Sequence, residues 1–166
     1  MIAPSFKTID HNGNKIKLKK ILKKGPVVII FYRGQWCPIC NKHLAKLQDG
    51  LEAVRAKGAQ IIAVTPEKQE NIDKTLVKTN ITFPVIYDEN YSIMRAYHVD
   101  FIPKKKTTLL YNTVLNANLK NIQSDDSQTP PMPATYIIGT DGKIKYVHFD
   151  PDYKNRAIIE EILKNL

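Results

Sequence analysis

Two short apolar runs constrain the fold most. Residues 27–32 read V-V-I-I-F-Y and residues 59–65 read A-Q-I-I-A-V-T. Both are rich in β-branched side chains, and the first is polar on neither face, the pattern of a strand buried on both sides. Between them Leu44, Leu47, Leu51 and Val54 recur at helical spacing. Gly58 is placed to stop that helix. Strand, helix, strand in this order predicts a right-handed βαβ unit with a parallel strand pair.

The flanking segments extend this unit. Residues 6–18 read as a hairpin with Asn12-Gly13 at its turn. Thr65-Pro66-Glu67 has the form of a helix start, an N-cap followed by a first-turn proline and an acid. That helix is predicted to run to about Thr79. A short strand is expected over 83–87 and a short helix over 89–97. Residues 104–129 read as an insertion, in which Leu109, Leu110, Val114 and Leu115 suit an amphipathic helix and S-D-D-S at 124–127 suits a loop. The following P-P-M-P-A-T-Y-I-I-G-T-D-G-K-I-K-Y-V-H-F predicts a second hairpin turning at Asp141-Gly142, and residues 157–166 a closing helix. The 166 residues therefore predict one α/β domain over 1–166, with a central mixed β-sheet and helices on both faces.

Composition removes several classes. A hydrophobic fraction of 43% excludes a disordered chain. The apolar run at 27–32 is too short to span a bilayer, so no membrane segment is expected. M-I-A-P-S-F shows neither a basic nor an apolar leader region, which makes a cytoplasmic location the expectation, although a leader already removed would leave no trace. The formal charge of +9 raises nucleic acid as a partner. The lysines are spread, with small clusters at 19–20, 23–24 and 104–106, and the arginines are few. No nucleic-acid partner is expected; the lysines read as a solvated face that helps with acidic partner proteins.

The chemistry rests on Cys37 and Cys40, the chain's 2 cysteines. They are too few to staple a domain of this size, and a C-x-x-C beside a βαβ pattern points to redox chemistry. They fall where a buried strand gives way to a helix. The first turn of a helix offers unpaired N–H groups and partial positive charge, which stabilise a thiolate. Two sulfurs on one turn can also close a reversible disulfide. Pro38 fits that first turn, where a missing N–H costs little, and Trp36 would shield one side of the pair. Inert buried thiols are the plainer alternative. Zinc would need four ligands, and only His43 joins the pair, with His98 and His148 distant in sequence; no metal or other cofactor is expected. Haem attachment would need histidine where Asn41 stands. His43 by itself reads as a helix-surface residue. Met132-Pro133-Ala134-Thr135 opens a strand after further prolines; Pro133 suits a cis bond, and the loop suits pairing with an extended substrate peptide.

With these features in place, W-C-P-I-C at a helix head and P-A-T-Y-I-I-G-T-D-G-K-I about a hundred residues later resemble the thioredoxin fold. F-Y eight residues before Cys40, A-V-T-P-E, and Y-D-E-N-Y-S-I-M-R-A-Y-H-V resemble more closely the peroxiredoxins of the alkyl hydroperoxide reductase and thiol-specific antioxidant family. Nearly the whole chain is covered, residues 104–127 least well. The peroxiredoxin motif P-x-x-x-T-x-x-C implies Cys40 as the sulfur that attacks peroxide. Its threonine position is then Cys37 and its proline position Arg33, and a supporting arginine is replaced at Pro133, as in thioredoxins. The acid that thioredoxins bury beneath the pair, in this strand, is also absent from V-V-I-I-F-Y. The resemblance thus implies an antioxidant-type oxidoreductase with two readings. In the leading one, a thiol–disulfide oxidoreductase, Cys37 attacks and Cys40 resolves, with Trp36, Pro38, Arg33, Met132, Pro133 and Thr135 around the substrate. In the alternative, a thiol peroxidase, Cys40 is oxidised by hydrogen peroxide or an alkyl hydroperoxide and Cys37 resolves it. Both imply an external thiol reductant such as thioredoxin, and members of the group often form a homodimer.

Overall fold

The structure is a computed structural model that describes residues 1–100, 112–113, 115, 130–149, 152 and 154–166. The expected insertion at 104–129, with its amphipathic helix and loop, lies outside the described residues apart from isolated positions. Strands β1 (Lys7–Ile9) and β2 (Lys15–Lys17) form the N-terminal hairpin. Its turn is held by the Asp10 carboxylate, which accepts the backbone N–H groups of Asn12 and Asn14, each at 2.9 Å. Short helix α1 (Leu18–Ile21) leads to β3 (Val27–Phe31), then α2 (Pro38–Asp49), α3 (Leu51–Ala56), β4 (Gln60–Thr65), α4 (Gln69–Thr79), β5 (Val85–Tyr87) and α5 (Ser92–Ala96). Strands β6 (Ala134–Ile138) and β7 (Ile144–Phe149) and the C-terminal helix α6 (Ile159–Lys164) follow.

The main sheet has the order β5-β4-β3-β6-β7. β3 pairs in parallel with β4, and β4 with β5, while β6 and β7 run antiparallel. The expected mixed sheet, parallel early and antiparallel late, is therefore present. Alternation along β3 divides its side chains between two cores. Val28 and Ile30 join Leu44 and Leu47 of α2, Val54 of α3, Ile72 of α4 and Ile162 of α6. Val27, Ile29 and Phe31 join Leu18 of α1 and Ile93 and Met94 of α5. Every residue of β3 is buried, as an apolar central strand requires. β7, at the sheet edge, is only half-buried in alternation. Among the described residues no helix is long and apolar enough to cross a membrane.

Four helical expectations are corrected. The repeat from Leu44 to Val54 is two helices, because Gly50 caps α2 and the Ile159 side chain packs against its Cα. Thr65 does not cap α4. It ends β4, where it pairs with Tyr87, and α4 begins at Gln69 after the N-cap Lys68. The helix expected over 89–97 is α5 alone. Asp88 takes the N–H groups of Ile93 and Met94 at 3.2 and 2.8 Å, satisfying first-turn donors of α5 that have no acceptor within the helix. The closing helix is likewise shorter than 157–166.

Candidate active site

The site lies where β3 ends. The loop of residues 32–36 carries the chain from the sheet to Cys37, the N-cap of α2, with Pro38 in the first turn. The Cys37 sulfur accepts the Cys40 backbone N–H at 3.3 Å. Sulfur here performs the task of a capping hydroxyl. Both cysteines are buried, Cys37 to 2% and Cys40 to 0% exposure, and Trp36 packs in the same core cluster. Both are free thiols.

Charge is divided unequally between them. Burial alone would push the Cys40 thiol up. The thiol of Cys37, the charge of Arg156 and the backbone N–H of Arg33 overcome it and hold Cys40 down at about 5. The Arg156 Nη2 donates to the Cys40 sulfur at 3.5 Å. Cys37 moves the opposite way: its thiol bonds to Cys40, and burial and the Cys40 charge further disfavour its ionisation. The reduced pair thus carries a proton on Cys37 and a negative charge on Cys40.

The loop before Cys37 is tied from three sides. Glu67 Oε2 accepts the Gln35 N–H at 2.9 Å, and Asn41 Nδ2 donates to the Gln35 carbonyl at 2.9 Å. From α4, Lys78 Nζ donates to that carbonyl at 3.0 Å and to Gln35 Oε1 at 2.6 Å. Gly34 allows this closeness, since a Cβ there would run into the Glu67 carboxylate and the Trp36 indole. Glu67 itself is 0% exposed. Burial, and secondarily the Cys40 charge, push its carboxyl up to about 8, against the Gln35 N–H, Lys74 and Lys78.

The residues singled out from sequence divide as follows. Trp36, Cys37 and Cys40 come together in one core, with Pro38 next in the helix. Arg33 is 3% exposed, and its backbone N–H reaches Cys40. Ala134 pairs with Phe31, which sets Pro133 beside the point where the cysteine loop leaves β3. Thr135, opposite Ile30, is buried within the sheet. Met132 packs against the core on the other face, away from the cysteines, because its N–H is drawn to the Val99 carbonyl at 2.7 Å. The described peptide bonds are all trans, including that of Pro133. His43 is partly buried rather than a surface group; its Nε2 donates to the Ala157 carbonyl at 2.8 Å, and burial lowers its pKa to about 4. Sequence reasoning misses Arg156 and Glu67 as site residues. No local motif marks an arginine in the C-terminal segment, and Glu67 carries the signature of a helix start.

The chain is similar to several known proteins. The chain matches the model of the AhpC/TSA family over residues 1–147. It is 33% identical over 102 residues to a thiol-disulfide oxidoreductase ResA of Bacillus cereus, covering 61% of this chain and 58% of the relative. To ResA of Bacillus subtilis it is 30% identical over 111 residues, 66% of this chain and 59% of the relative. The matched region thus spans less than two thirds of these curated relatives. Among solved structures, peroxidoxin BcpB from Mycobacterium tuberculosis superposes with a TM-score of 0.74 at 17% identity, covering 99% of this chain and 93% of that one. Reduced Plasmodium vivax 2-Cys peroxiredoxin gives 0.72 at 18% identity, with 98% and 90% covered. These likenesses establish a peroxiredoxin- and thioredoxin-like fold.

Proposed function

Since this chain belongs to the AhpC/TSA family, we propose that it is a thiol–disulfide oxidoreductase working through a reversible Cys37–Cys40 disulfide. The observation that carries the reading is the paired cysteines on one helical turn, one a thiol and the other a thiolate hydrogen-bonded to it. In the first step Cys37 passes its proton to the Cys40 thiolate and attacks a substrate disulfide R–S–S–R′ as the thiolate; RS⁻ leaves and takes the proton back from Cys40 as RSH. The product is a mixed disulfide between Cys37 and R′. In the second step the Cys40 thiolate, held ready by Arg156, attacks the Cys37 sulfur and expels R′S⁻. Two electrons reach the substrate. An external thiol reductant such as a thioredoxin reopens the pair. Trp36, Pro38 and Pro133 border the approach to Cys37.

A second reading has its own support. A fully buried thiolate facing an arginine and a backbone N–H suits a small oxidant. A peroxide ROOH would convert the Cys40 thiolate to sulfenic acid, and the departing alkoxide would take a proton from solvent to leave as ROH. The Cys37 thiol would then condense with it, releasing water and closing the same disulfide.

Single serine variants separate the two. In Cys40→Ser, a disulfide-bearing peptide is expected to become trapped on Cys37, visible by mass as a stable adduct. In Cys37→Ser, hydrogen peroxide is expected to produce sulfenic acid only slowly. Rapid sulfenic acid on Cys40, together with no trapped adduct on Cys37, would overturn the first reading in favour of the second.

A further inference from the structure

Arg156 faces Cys40 from a stretch without regular structure. Residues 155–158 run from the turn at Asp152 to the start of α6. From there the Arg156 side chain brings Nη2 to 3.5 Å from the Cys40 sulfur. The next residue shows how the chain is held. Ala157 is 0% exposed, so its carbonyl oxygen is a buried acceptor. Helix α6 does not use it, because the first bond of that helix goes from the Ile162 N–H to the Ile158 carbonyl. A buried carbonyl left without a donor is costly. His43 supplies the donor, with Nε2 at 2.8 Å from the Ala157 oxygen. Cys40 and His43 both belong to α2 and stand one turn apart, so their side chains share one face of the helix. That face grips the C-terminal segment twice, at Arg156 through sulfur and at Ala157 through the imidazole.

The imidazole suits this task for a second reason. Burial, helped by the neighbouring Arg156, His148 and Lys46, lowers its pKa to about 4, against the pull of the Ala157 carbonyl. It is therefore neutral where the thiol chemistry runs. It donates a hydrogen bond beside Arg156 without setting a second cation against the guanidinium, which a lysine would do. We propose that His43 is a positioning residue: by holding the Ala157 carbonyl it fixes the backbone from which Arg156 reaches the Cys40 sulfur. It acts through the guanidinium rather than on the sulfur itself. The consequence for turnover rests on the disulfide chemistry of the preceding section, where the thiolate that Arg156 faces resolves the mixed disulfide. Loss of His43 lets the segment drift, weakens the hold of Arg156 and makes Cys40 a poorer thiolate.

The test reads the Cys40 pKa in the full chain by thiolate absorbance against pH, with Cys37→Ser throughout so that one sulfur reports. His43→Leu leaves the Ala157 carbonyl without this donor. It is expected to raise the Cys40 pKa, with the thiolate-to-thiol ratio at a fixed pH falling roughly threefold or more. His43→Gln, whose amide N–H reaches about as far as the imidazole Nε2, is expected to restore the value found with histidine. His43→Asn has a polar group too short to reach; it is expected to behave as His43→Leu and replaces it in the test if the leucine variant does not fold. In an Arg156→Met chain the same substitutions are expected to move the pKa no further, because the guanidinium they misplace is gone. A His43 that serves stability alone would lower the urea midpoint and leave the Cys40 pKa in place, and that result would overturn the proposal. Equal shifts with and without Arg156 would overturn it as well. Failure of the Cys37–Cys40 pair to close with any disulfide would instead overturn the oxidoreductase reading, since the pKa is read without substrate.

Discussion

After the hydrogen bond from Cys37, Cys40 owes its charge most to a residue 116 positions away. Arg156 supplies the cation from the segment before α6, so no local spacing around the cysteines reveals it. Replacing it by methionine removes a charge-assisted hydrogen bond worth about 1.5–3 kcal/mol. Arg156→Met is therefore expected to raise the Cys40 pKa and to slow alkylation of its sulfur roughly fivefold or more near pH 5.5, with little effect left at about pH 8. Thiolate absorbance against pH, read in Cys37→Ser to isolate one sulfur, checks this. The cysteines themselves were legible from C-x-x-C spacing and their place after an apolar run. Which of them is ionised was not, because that depends on what faces each sulfur across the fold. Glu67 shows the same limit: a residue two places past a strand end reads as a helix-dipole partner until tertiary packing turns it inward.

At the level of elements, strands were easier to read than helix ends. The buried strands announce themselves by β-branched runs, and both hairpins by Asn-Gly and Asp-Gly turns, where Gly13 and Gly142 take φ of +80° and +75°. Helix ends depend on competing hydrogen bonds. Thr65 stayed in the sheet, and the acceptor of the first amides of α5 is Asp88, outside the helix. The start of α2 is the exception, since Pro38 marks it. The sulfur cap also has a measurable consequence. Cys37→Ser preserves an acceptor for the Cys40 N–H, whereas Cys37→Ala removes it and should cost about 1 kcal/mol relative to the serine variant. Urea unfolding of the two reduced variants gives the difference directly. Equal midpoints would mean that the cap contributes nothing to α2.

Across the whole molecule, Glu67 makes stability depend on pH. Its carboxyl is near 8 in the reduced fold and ordinarily 4.5. Between these values the folded protein keeps a proton that the unfolded chain has released, so this group's contribution falls as pH rises through that window. The stability of reduced wild type relative to Glu67→Gln should therefore decline from about pH 4.5 to 8, by on the order of 5 kcal/mol. Unfolding free energies of both proteins at several pH values, compared pairwise, test it; a difference that does not vary with pH would remove the buried acid from the account. Sheet order was within reach of the sequence because crossover and hairpin connections leave few arrangements, whereas the two-core division needed the register of β3 to be seen. The ties on Gln35 matter at this scale too. Asn41 of α2, Lys78 of α4 and Glu67 after β4 grip one residue of the cysteine loop. Such a joint behaves as a triangulated truss: the loop cannot swing by itself, and any opening that lets a substrate reach the sulfurs must load two helices and a strand end together.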